Sequence, residues 1–158
     1  MDSDIIYSSY MNKKHGENVK DSDTLFHLLL WSGKVAGARL DEALQTANVT
    51  RAQLAALWAL AEYGEPMQLG ELAEYLHSVR SNATQMVDRL EAEGLVQRVF
   101  DPKDRRVVLV QITEEGRQRY EHGMQARQKL EEELLRQFNQ EECEQFASLL
   151  RRLLKMWA

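Results

Sequence analysis

Leu25, Leu28, Leu29, Val35, Ala36, Leu40 and Leu44 recur close to three and four residues apart. That spacing gathers apolar side chains onto one stripe of a helix and predicts a long first helix over residues 24–48. A second periodic run, TRAQLAALWALAEYG, opens at Thr50, with Gln53 placed to complete a capping box and Gly64 and Pro66 to stop the helix. QLGELAEYL then reads as a short helix. A further helix runs from about Ser81 to Glu93 and closes at Gly94, with HSVR as a tight turn between the two. After Gly94 the period falls to that of strands: LVQRVF and VVLVQI are short β-type runs joined by DPKDRR, a hairpin with a charged tip. Thr113 caps a helix that begins with two glutamates, suited to the positive end of its dipole, and Asn139 caps a last helix. Residues 1–22 are polar apart from Ile5, Ile6, Tyr7 and Tyr10, and read as a flexible arm or a short docking helix. The pattern is four helices, a hairpin and two helices, so the fold class is mainly α with a small β-hairpin.

Composition narrows the function classes. The 158 residues, 44% of them hydrophobic, suit one compact domain. No apolar run approaches the roughly 18 residues a membrane span needs, so a membrane partner is not expected. The N-terminus lacks the basic start, apolar core and small-residue cleavage site of an export signal, and a cytoplasmic protein is expected. Cys143 is the only cysteine, and His15, His27, His77 and His122 lack metal-ligand spacing, so neither a disulfide nor a metal site is expected. No acid, base or nucleophile constellation has recognisable spacing, which points away from an enzyme and from a cofactor. The net charge of −5 argues against an indiscriminate nucleic-acid binder and requires any DNA-binding face to be local.

The middle of the chain supplies such a face. Two short helices joined by a tight turn form a helix-turn-helix, whose second helix lies in the DNA major groove. At about 100° per residue, Ala83, Met86, Val87 and Leu90 share one side of that helix. Ser81, Gln85 and Arg89 project from the other, flanked by Asn82 and Thr84. Asn and Gln can pair with adenine, Arg with guanine, and Ser or Thr with either bases or phosphates. Arg80, at the helix start, is placed for a phosphate. The helix alone fits an ordinary solvated face equally well, but the hairpin that follows it fits a wing. Lys103, Arg105 and Arg106 supply cations for a minor groove or phosphates. Asp101 and Asp104 are expected to order this tip by ion pairing with the neighbouring arginines.

The run LGELAEYLHSVRSNATQMVDRLEAEGLVQRVFDPKDRRVVLVQITEEG resembles the core of the MarR (multiple antibiotic resistance regulator) family of bacterial transcription factors. Asp101, Asp104, Arg106, Ile112, Thr113 and Gly116 match its wing signature, and Val87, Asp88, Arg89, Leu90, Glu91, Gly94 and Leu95 match upstream. Lys103 stands where the family usually carries an arginine, keeping the charge but losing the planar fork. The resemblance implies a homodimer built from the first helix and the last two, with two winged helices reading a pseudo-palindromic double-stranded operator. It implies the domain division 24–48 dimerisation helix, 50–112 winged helix-turn-helix and 113–158 dimerisation helices. It implies a repressor released by a small aromatic effector in a crevice that His27, Trp31 and Trp58 could line, although helical aromatics are more often core.

Phe146, Leu149, Leu150, Leu153, Leu154 and Trp157 independently give the last helix a wide apolar face, for a second copy or for the chain's own first helix. Some relatives sense peroxide through a cysteine near the first helix, but Cys143 lies in the last helix among Glu141, Glu142 and Glu144, which would disfavour a thiolate if they lie close to it. A urate-binding branch carries an Asp in the second helix, where this chain is apolar around Ala55. Two rival readings stay open: a ligand-independent winged-helix architectural or interaction protein, and a transcriptional activator that uses the same DNA contacts.

Overall fold

A computed structural model describes residues 22–156, and side chains from residue 25 onward. The arm expected over residues 1–22 thus falls, up to residue 21, outside the described residues, as does Trp157 of the last helix. Helix α1 spans Ser22–Gln45, α2 Arg51–Tyr63, α3 Leu69–Tyr75, α4 Arg80–Ala92, α5 Glu114–Leu135 and α6 Gln140–Leu154. Strands β1 (Met67–Gln68), β2 (Val96–Phe100) and β3 (Val108–Ile112) form one antiparallel sheet in the order β1-β3-β2. The fold is a mainly α winged helix. The expected hairpin is present as β2 and β3, and Met67 and Gln68 add a third strand to it by pairing with Val110 and Leu109. A two-residue strand carries no period to read.

The chain divides after Ala38 into two compact units. The first contains the early turns of α1, which expose Leu25, Phe26, Leu28, Leu30 and Val35. The second holds a core of Leu57, Leu60, Met67, Leu72, Val87, Leu90, Leu95, Val96, Val110 and Ile112 between α2, α3, α4 and the sheet. Leu44, at the end of α1, belongs to this core.

Helix ends follow local chemistry. Thr50 Oγ1 accepts from the Gln53 N–H at 3.2 Å and Gln53 Oε1 accepts from the Thr50 N–H at 2.9 Å, closing the expected capping box. Gly64 ends α2 at φ 76°. Three other helices end in one shared device, a left-handed residue whose successor donates five residues back. Asn48 plays this part after α1, His77 after α3 and Gly94 after α4, with Val49, Ser78 and Leu95 donating to Leu44, Ala73 and Leu90. The turn expected at HSVR therefore contains a non-glycine residue at φ 46°. This device also shortens α1, since residues 46–48 form its closing turn instead of a further helical turn.

The junction between α4 and α5 is close. The Thr113 N–H donates to the Leu95 carbonyl at 3.0 Å, and Thr113 Oγ1 donates to the Gly94 carbonyl at 2.7 Å while accepting from the Gly116 N–H at 3.0 Å. A Cβ on Gly116 would lie 2.0 Å from the Leu95 carbonyl oxygen and 2.9 Å from Ile112 Cγ1. Neither the carbonyl nor the helix entry can give way cheaply. Gly116→Ala is expected to destabilise the protein by about 2–3 kcal/mol, read as a lower midpoint in urea unfolding with an unchanged m-value.

Candidate nucleic-acid interface

Helix α4 is placed by its apolar side. Ala83, Val87 and Leu90 are buried and Met86 is half-buried against the core. This burial turns Arg80, Ser81, Asn82, Gln85 and Arg89 outward as exposed side chains. Thr84 is half-buried and its Oγ1 donates to the Arg80 carbonyl at 2.9 Å, which leaves the oxygen lone pairs as its remaining polar capacity. The helix thus presents one polar surface whose side chains are of the types able to pair with base edges or phosphates.

The wing tip is ordered differently from the sequence expectation. Asp101 Oδ1 accepts from the Lys103 backbone N–H at 2.7 Å, and Asp104 Oδ1 accepts from the Arg106 backbone N–H at 3.0 Å. The Asp101 and Val107 N–H groups close the loop onto the Val107 and Asp104 carbonyls. Among the described residues neither aspartate forms an ion pair, so the expected pairing with arginine is corrected to two side-chain turns. An amide two residues along is nearer to an Asp carboxylate than a flexible guanidinium is. Lys103, Arg105 and Arg106 are consequently left exposed, without an ion-pair partner among the described residues.

The remaining carboxylates near α4 are occupied. Arg98, in the middle of β2, bonds Asp88 Oδ1 through Nη2 at 2.6 Å and Glu91 through Nη1, while its backbone N–H donates to Glu91 Oε1 at 3.1 Å. The Asp88 hydrogen bond is the largest of the effects that together hold the Arg98 pKa above its ordinary value; burial opposes them. Glu93 accepts from Gln53 Nε2 at 2.8 Å and pairs with Arg119 at 3.6 Å. Sequence reasoning missed Arg98. The available signal was an arginine between valines in a short strand, following a helix that bears acids at i and i+3.

Of the three residues suggested for an effector, His27 and Trp31 belong to the first unit and Trp58 to the second. Trp31 is half-buried with the Lys34 ammonium 4.7 Å from its ring centroid, and His27 is exposed beside Phe26. Trp58 stands on α2, edge-on to Tyr75 at 5.6 Å. A groove opens between the last turns of α1 and α5, lined by Arg39, Ala43, Ala47, His122, Ala126 and Leu130 among others. None of the three aromatic candidates lines it. Cys143 is half-buried. Among the described residues no cluster of His, Cys, Asp or Glu is arranged to hold a metal, and no helix is long and apolar enough to cross a membrane.

Residues 49–108 match the MarR family model. The chain is 33% identical over 131 residues to an uncharacterised HTH-type transcriptional regulator, YwoH of Bacillus subtilis, covering 83% of this chain and 94% of that protein. It is 33% identical to the HTH-type transcriptional repressor MdtR of the same organism, over 71% of this chain and 72% of that one. Among solved structures, a mutant MarR from E. coli complexed with operator DNA superposes with a TM-score of 0.70 at 27% identity, covering 87% of this chain and 99% of that one.

The turn geometry at the wing tip is directly checkable. Asp104→Ala removes the acceptor for the Arg106 amide, so that amide is expected to exchange with solvent faster in NMR hydrogen exchange. Because the site is exposed, global stability should fall by no more than about 1 kcal/mol.

Proposed function

The chain belongs to the MarR family, making it a DNA-binding transcription regulator and not an enzyme, and we propose that within this family it acts as a homodimeric repressor of a pseudo-palindromic operator. The observation that carries the proposal is the segregation of charge around α4 and the wing. Asp88, Glu91 and Glu93 are engaged by Arg98, Arg119 and Gln53, while Asp101 and Asp104 face backbone amides. Arg80, Arg89, Lys103, Arg105 and Arg106 remain exposed. A polyanion approaching this side meets cations. In the proposed complex α4 enters the major groove, with Ser81, Asn82, Thr84, Gln85 and Arg89 on base edges or adjacent phosphates and Arg80 on the backbone. The wing cations reach the neighbouring minor groove or its phosphates.

Helix α6 supports the dimer. None of its residues is buried, and Phe146, Leu149 and Leu154 are 53%, 58% and 62% exposed. An amphipathic helix with that much uncovered apolar surface is stabilised by a second copy of the same surface. Two copies place two recognition helices about one helical turn apart, and their contacts add. Repression is supported by the likeness to MdtR, a transcriptional repressor, and a cytoplasmic location by the need to reach the chromosome. Release by a small aromatic effector completes the proposal, with His27, Trp31 and Trp58 as candidate contacts.

Fluorescence anisotropy with an operator fragment selected from genomic footprints tests the DNA contacts. Lys103→Ala and Arg106→Ala are each expected to weaken binding and to reduce the slope of log K against log salt by about one. Gln85→Ala is expected to cost about 1–3 kcal/mol at the base pair it reads and to relax preference there. A wild-type protein with no preference for any duplex sequence would overturn the regulator reading.

A further inference from the structure

We infer that Arg98 fixes the angle between α4 and the wing, so that recognition helix and wing meet DNA as one rigid reader. This rests on the DNA-binding reading above and assigns Arg98 as a positioning residue, acting through two elements that touch DNA.

The sheet leaves the core at this residue. Val96, Arg98 and Phe100 lie on one face of β2, opposite Ile112, Val110 and Val108 of β3. Val96, Val110 and Ile112 are buried, but Phe100 and Val108 are 68% and 43% exposed. On this face apolar packing thus holds the inner half of the hairpin and stops at Arg98, while on the opposite face Leu109 is still buried. Among the described residues, the side-chain hydrogen bonds joining α4 to the outer half of the hairpin are those of Arg98, to Asp88 and Glu91.

The chemistry suits an angular lock. Asp88 and Glu91 lie one turn apart on α4, and a planar guanidinium spans them with two nitrogens while the strand's own N–H holds Glu91 a second time. Three bonds to two carboxylates constrain orientation as well as distance. Half-exposed pairs add little to folding stability. Their effect here falls on where the wing cations stand once α4 is seated, because a loosened wing lowers the effective concentration of its cations at the groove.

The test separates position from charge. Arg98→Lys keeps the charge and removes the fork. Asp88→Asn combined with Glu91→Gln removes two negative charges beside the polyanion, so a purely electrostatic role predicts tighter binding. Both variants are expected to bind the operator more weakly, on the order of tenfold, at about 0.15 M salt, with circular dichroism and thermal midpoint near wild type. A double variant that binds as tightly as wild type, or more tightly, would overturn the inference while leaving the regulator reading intact. Failure of the wild-type protein to select any operator would instead defeat the underlying reading.

Discussion

A chain with a net charge of −5 can hold a polyanion only if its carboxylates near the contact surface face something else. Around α4 and the wing every carboxylate does. Arg98 takes Asp88 and Glu91, Arg119 and Gln53 take Glu93, and the wing-tip amides take Asp101 and Asp104. These carboxylates keep their charge but are tethered, whereas Arg80, Arg89, Lys103, Arg105 and Arg106 stay exposed, so the overall sign of the molecule is a poor guide to what this side attracts.

The same contacts also set geometry. Helix α4 is closed by the left-handed Gly94 that follows it, and the next residue, Leu95, is buried while its carbonyl accepts from the Thr113 amide at the start of α5. Gly116 passes this carbonyl without room for a methyl group. A few residues thus tie the recognition helix to α5, one of the helices proposed to carry the dimer. On the other flank, Arg98 ties it to the wing. Displacing α4 would disturb both neighbours, which gives a physical basis for coupling between the DNA face and the helical region.

Much of the fold was legible because its signals span few residues. The capping box at Thr50 and Gln53, the stops at Gly64 and Gly94, and the caps at Thr113 and Asn139 are each encoded within about one turn. The outward polar side of α4 followed from helical period alone, and burial of Ala83, Val87 and Leu90 agrees with it. The misses needed tertiary information. Strand β1 exists because β3 lies beside it, and its two residues hold no pattern of their own. Asn48 and His77 adopt left-handed backbone without the glycine that usually marks such positions. The wing aspartates accept from backbone amides two residues along, where sequence proximity had suggested arginines as partners. Arg98 is separated from Asp88 by ten residues, a turn and a change of element, so its role emerges only once strand and helix are packed.

The claim on which the account stands is that two copies of α4 and its wing read one duplex symmetrically. Hydroxyl-radical footprinting on an operator fragment measures this directly. The account predicts two protected patches related by a twofold axis, centred about 10 base pairs apart, with further protection in the flanking minor grooves that is lost when Lys103 and Arg106 are both alanine. A single unsymmetrical patch, or protection that ignores both α4 and wing substitutions, would contradict it.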